Sequence, residues 1–328
     1  MHWLLRGFAG LGLVVVLAAG CSGSSAGSQQ VFVTAFGLGP DKWATAWLLT
    51  HHAAPGARLV VIDSTDQMPE GIAFDVPDAQ FRRVGNRAAF EVVRDAYSVD
   101  DPDIERLSAV VHDIEVNFWS SNRTAEAQLV EQAFRALQRG QAHGTVTPEC
   151  YITFFESVYR AMRTQRTQDK AMSMGDLSVT CKKLALDSSA DSLVPEIEIP
   201  DLLAEMKRGK SVVFVDVREA DEFAEAHIPG AINITLRDLG KNDIDNMKHA
   251  DYVVSYCVKD FRGFEMAKAL RQSGVGNAVI LRPYGMKGWL SQGLPMIGTE
   301  ALEESKAMAE MSRCIDSSGH CLKTTKLH

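Results

Sequence analysis

Three short apolar runs constrain the second half of this chain more than any other feature. Ser211-Val212-Val213-Phe214-Val215-Asp216 is continuous, as a strand buried on both faces must be. Tyr252-Val253-Val254 runs on to Cys257, and Ala278-Val279-Ile280-Leu281 follows. Helical patterns lie before, between and after them: Pro200 to Arg208, Ala220 to Ala226, Arg262 to Ser273 with Gly274 at its end, and Lys287 to Gln292. Ile197 to Ile199 and Ile232-Asn233-Ile234 read as brief extended pieces. This alternation predicts an α/β fold, a parallel sheet with helices on both faces. Ligands of such sheets bind at the carboxyl ends of the strands. Cys257 stands at one of those ends.

The stretch Ser255-Tyr256-Cys257-Val258-Lys259-Asp260-Phe261-Arg262-Gly263 joins a strand to a helix whose apolar positions are Met266, Ala267 and Leu270. Backbone N–H groups of the loop and the first turn can converge on one spot. The helix dipole, Lys259 and Arg262 favour a thiolate there and an anion beside it. Cys257 is the candidate nucleophile, and Val258, Lys259, Asp260, Phe261 and Arg262 form the candidate anion-binding loop. A small buried hydrophobe at a strand end is the plainer reading of a lone cysteine.

The first half reads as mixed α/β and helix-rich. Residues 30–36 form an apolar strand, and Arg58 to Ile62 a second. Between them Asp41 is placed to cap a helix through Trp43, Ala44, Trp47 and Leu48. Ile72-Ala73-Phe74 is extended, and Arg87 to Tyr97 is helical. Asp101 and Pro102 open a strong helix with Ile104, Leu107, Val111, Ile114 and Phe118 as its apolar stripe. Further helices are expected over 124–139 and 148–165. His112 lies off the stripe; Lys42, Glu91 and His112 are the possible site residues of this half.

At 328 residues, two domains are expected. The net charge of -8 without a basic run excludes nucleic acid as the natural partner. Met1 to Arg6 carries one positive charge, Gly7 to Ala19 is short and apolar, and Leu17-Ala18-Ala19-Gly20 leads into Cys21. The apolar stretch is too short to span a bilayer but suits a signal-peptide core. Small residues before a cysteine resemble a bacterial lipoprotein signal. That resemblance implies cleavage after residue 20, lipid on Cys21, and a lipid-anchored protein on the periplasmic face of the cell envelope. Ser22 implies the outer membrane in a Gram-negative cell. The expected organisation is signal peptide 1–20, tether 21–29, first domain 30–170, small polar linker 171–195, second domain 196–298 and tail 299–328, with a helix over 299–311. Besides Cys21 and Cys257, four cysteines remain, an even number for an oxidising compartment. They are assigned to disulfides Cys150–Cys181 and Cys314–Cys321, with free structural thiols as the alternative. Cys314, His320, Cys321 and His328 match no common zinc spacing, so no metal is assigned.

Asp41-Lys42, Ala44-Thr45-Ala46-Trp47-Leu48, Pro55-Gly56-Ala57-Arg58, Phe74-Asp75-Val76-Pro77, Phe90-Glu91 and Asp101-Pro102 through Val111-His112-Asp113-Ile114-Glu115 together resemble the domain of chromate-resistance proteins. Where members of that family commonly carry a His-x-Gly and a Cys ahead of the Phe-Glu pair, this chain has Arg83 and Ala88. Asp216-Val217-Arg218-Glu219, Glu222-Phe223, His227 through Asn233, Cys257 with Arg262, Gly288-Trp289 and Gly293-Leu294-Pro295 resemble a rhodanese, or sulfurtransferase, domain. By that resemblance His227 belongs to a structural turn, and Asp216 and Arg218 are mainly structural. Rhodaneses have the shorter cysteine-to-arginine loop seen here; phosphatases of similar fold have a longer one. The implied chemistry is transfer of sulfur from a small anionic donor through a Cys257 persulfide to a thiol or cyanide acceptor, with no cofactor. The alternative is a chromate- or oxyanion-resistance or sensing protein using the rhodanese domain as a redox or binding module.

Overall fold

A computed structural model describes residues 29–62, 68–116, 124–139, 146–181 and 194–317. The signal segment, Cys21, Phe118, residues 182–193 of the polar linker and Cys321 lie outside the described residues.

In the first half, strand β1 (Val31–Ala35) is central in a parallel sheet ordered β2-β1-β3, with β2 at Arg58–Ile62 and β3 at Ile72–Ala73. Helix α1 (Pro40–Leu48) continues into a π-helical turn, Leu49–Ala53. Every residue of α1 is buried, because it packs against α2 (Ala89–Ala96), α3 (Pro102–Glu115) and α5 (Pro148–Gln168) at once. Its Trp43 stacks on Tyr151 at 4.8 Å, and the indole N–H of Trp47 donates to Glu156 at 2.9 Å. Helix α4 (Ala125–Arg139) packs on α3. Asp101 caps α3 as expected, accepting the N–H groups of Asp103 and Ile104. Asp41 does not cap its own helix. Its carboxylate instead accepts the N–H groups of Ala89 and Phe90 at 2.7 and 2.9 Å, serving the exposed dipole end of α2. A disulfide joins Cys150 of α5 to Cys181, tying the chain beyond α5 back to the domain.

The second half is a five-stranded parallel sheet ordered β4-β8-β7-β5-β6. Its elements are β4 (Glu196–Glu198), α6 (Ile199–Lys207), β5 (Val212–Asp216), α7 (Ala220–Glu225), β6 (Ile232–Asn233), β7 (Tyr252–Tyr256), α8 (Phe261–Gln272), β8 (Ala278–Arg282) and α9 (Gly285–Ser291). Successive strand residues face opposite sides. Val215 and Val253 face α8, in an apolar cluster that runs unbroken into the first domain. Phe214 and Val254 face a second cluster with Leu202 of α6 and Trp289 of α9. The tail helix α10 (Glu304–Asp316) closes that second cluster with Met311 and Cys314. It starts later and runs further than the sequence pattern suggested, because Cys314 is a buried face residue. Cys314 is disulfide-bonded; the expected partner, Cys321, lies outside the described residues.

Candidate active site at the domain junction

Strand β7 ends at Tyr256, and Cys257 begins the loop into α8. Gly263 allows the tight approach of helix to strand: a Cβ there would sit 3.0 Å from Tyr256 Cα and 3.1 Å from Ser255 O. The backbone N–H groups of Gly263 and Lys259 favour the charged form of the Cys257 sulfur. The loop is pinned from below by the start of α9. Met286 N–H donates to Cys257 O and Lys287 N–H to Val258 O, both at 3.0 Å. Gly285, at φ +58°, makes room, since a Cβ there would lie 1.9 Å from Lys259 O. Nothing in the sequence pattern marked this floor, since it depends on a backbone turn meeting the loop from another element.

The first domain seats directly on the loop. Arg135 of α4 grips Asp260 through two hydrogen bonds of 3.2 and 3.0 Å, and stands over the Phe261 ring at 4.9 Å. Phe134 meets Phe261 edge to face at 6.2 Å. The Lys259 ammonium donates to Ile114 O at 2.9 Å and pairs with Glu131 at 2.7 Å. Arg262 makes a two-pronged pair with Glu222 of α7, 3.0 Å on each prong. Arg83, at the departure from the chromate-resistance pattern, reaches the same carboxylate at 3.4 Å.

The expected electrostatics are altered by this cover. Cys257 is only 3% exposed. Burial pushes its thiol up, against the opposing pull of Arg262 and the two N–H groups. The sequence pattern suggested a favoured thiolate; burial removes the water that would stabilise it. Lys259 and Arg262, expected to recruit an anion, are both engaged by carboxylates in this arrangement. Burial works to raise Glu222, but Arg262 and Arg83 outweigh it and hold that carboxyl well below the usual range.

The three candidates of the first domain separate. His112 and Glu91 meet, with His112 Nδ1 2.9 Å from Glu91 Oε2, and the same oxygen accepts the Ala88 N–H at 2.7 Å. Lys42 is elsewhere, buried at the junction between Asp75 at 2.9 Å and Glu265 of α8 at 3.7 Å. Around it Asp41 is pushed up to about 7 by burial, with Asp75 and Glu115 adding to it. Glu265 is likewise pushed up to about 7 by burial, against the pull of Lys42. The structural roles of the rhodanese-type motif residues are visible. Arg218 is fully buried on Asp216, and His227 stacks on Phe223 while its backbone bridges Ile297. Among the described residues no group of three or more metal-ligating side chains occurs.

Residues 32–162 match the family described as ChrB, C-terminal domain, and residues 199–292 match the rhodanese-like domain. Over 102 residues the chain is 31% identical to the Saccharomyces cerevisiae thiosulfate:glutathione sulfurtransferase, covering 26% of this chain and 70% of that protein. Over 92 residues it is 33% identical to YibN, an uncharacterized protein of Escherichia coli K12, and it spans 62% of that relative's length and 27% of its own. Protein ChrB of Cupriavidus metallidurans is 31% identical over 78 residues, 23% of this chain and 24% of that one. The chain thus belongs to the rhodanese-like family through residues 199–292, and it carries a ChrB C-terminal domain ahead of them.

Proposed function

We propose that this protein moves sulfane sulfur through a persulfide on Cys257, from thiosulfate or a related donor to a thiol or cyanide acceptor. One observation carries the reading: Cys257 sits where β7 ends and the loop turns into α8, and the N–H groups of Lys259 and Gly263 there favour the charged form of its sulfur. Such N–H groups stabilise an anionic sulfur and the charge that develops beside it. The Cys257 thiolate attacks the outer sulfur of thiosulfate, the S–S bond breaks, and sulfite leaves with the electron pair. The acceptor then attacks the outer sulfur of the persulfide and restores the thiolate. Val258, Lys259, Asp260, Phe261 and Arg262 form the substrate loop, and turnover requires this loop to part from α3 and α4.

The likeness of residues 1–21 to a lipoprotein signal supports an exported chain, held to the membrane by lipid on Cys21 and working on the periplasmic face of the envelope. A second reading has a specific support. Lys259 and Asp260 are committed to the first domain, which suits a chromate- or oxyanion-resistance or sensing protein using the loop for docking. Turnover separates the two. Thiosulfate and cyanide should yield thiocyanate and sulfite with wild type and none with Cys257→Ala; no thiocyanate from wild type rejects sulfur transfer.

A further inference from the structure

The geometry points to a second site: the cavity between the two domains binds a small amphipathic organic anion, an apolar body carrying a carboxylate or sulfonate. The cavity holds about 580 Å³. Ala35 and Phe36, at the end of β1, and Val217, just past β5, all line it. Both strands are places where chain order reverses. β1 has β2 on one side and β3 on the other, and β5 has β6 and β7. Such reversals open a crevice above the strand end, where ligands of open parallel sheets sit. Here two crevices face each other. Arg262 of the cysteine loop lines this cavity and Cys257 does not, so the ligand lies beside the sulfur-transfer loop without occupying its nucleophile.

The lining names the ligand class. Phe36, Ile62, Pro77, Leu236 and Leu239 supply an apolar wall. Lys42, Arg82, Arg83, Arg237, Arg262 and Lys268 outnumber the acids Asp75, Glu219 and Glu265 of the lining, even with Glu222, which holds Arg83 and Arg262, counted among them. Burial also pushes Glu265 up to about 7, which trims its negative charge further near neutral pH. An excess of cations around an apolar wall complements a hydrocarbon or aromatic anion. Because both domains contribute walls, such a ligand binds the docked arrangement in preference to a parted one, and shields Cys257 further.

The test is titration of the full chain with 1-anilinonaphthalene-8-sulfonate, with octanoate as competitor. Saturable binding of one probe per chain, displaced by octanoate, is expected. Lys268→Glu reverses a cation of the lining and should weaken binding at least tenfold, and Leu239→Glu should do the same. Ser157→Glu, in a separate surface groove beside α5, should leave it unchanged. The bound probe should slow alkylation of Cys257 at least twofold. Should Leu239→Glu melt below wild type, Lys268→Glu decides alone. Undiminished binding by Lys268→Glu, equal loss in Ser157→Glu, or unchanged alkylation overturns the proposal.

Discussion

The guanidinium of Arg135, on α4 of the first domain, is locked onto the carboxylate of Asp260 in the cysteine loop, at 3.2 and 3.0 Å. Asp260 has no exposed side-chain surface, so the pair is desolvated. Removing one partner of such a pair strands the other as a buried charge, which costs about 3 kcal/mol or more. Arg135→Ala should therefore lower unfolding stability by roughly that amount. It should also raise the rate of Cys257 alkylation at least tenfold. Adding Asp260→Asn should restore part of the lost stability, since the stranded charge is gone; strictly additive losses in a double-mutant cycle would contradict the pairing.

The thiol itself gives a second measurement. Burial holds the Cys257 pKa above that of a free thiol. The pH profile of iodoacetamide reaction should thus have its midpoint above that of a small-molecule thiol, and Arg135→Ala should bring it down. An identical midpoint in both proteins would show that the first domain does not cover the loop.

How much of this was legible beforehand differs between the two halves. The sheet of the second half was readable because its strands are buried on both faces and leave unmistakable apolar runs. The place of Cys257 at a strand end was readable because the apolar run Tyr252-Val253-Val254 leads straight into it. The cover over it was not. Glu131, Phe134 and Arg135 look like ordinary residues of an amphipathic helix, and their target lies more than a hundred residues downstream. Asp41 misled for a related reason. A carboxylate at a helix start serves whichever N–H groups tertiary packing brings near, and here those belong to α2. Arg83 carried a signal only through what it replaced, and its partner Glu222 could not be guessed from spacing.

Stability should depend on pH in two opposing directions. Glu222 is held below its ordinary range, so the unfolded chain binds its proton more tightly and stability rises as pH climbs toward about 4.5. Asp41 and Glu265 are pushed up to about 7, so the folded chain holds their protons longer and stability falls between about 4.5 and 7. Denaturant midpoints should peak at about pH 4 to 4.5. Glu265→Gln should flatten the decline above the peak. A stability that climbs steadily from pH 5 to pH 8 would contradict the assignment.

The Cys150–Cys181 bridge closes a separation of 31 residues. By loop-closure entropy such a cross-link stabilises by about 3–4 kcal/mol. The Cys150→Ser/Cys181→Ser protein should melt well below wild type, and a reducing agent should lower the wild-type melting temperature at least as far, since it also opens the bridge at Cys314. Insensitivity of wild type to reduction would argue against the bridge.

The most direct test is the intact mass of the protein after incubation with thiosulfate. Sulfur transfer through Cys257 predicts a gain of one sulfur, mapped to that residue, absent from Cys257→Ala and reversed by cyanide. It predicts faster loading in Arg135→Ala, where the loop is released. No mass gain in either wild type or Arg135→Ala, or a gain that persists in Cys257→Ala, would contradict it.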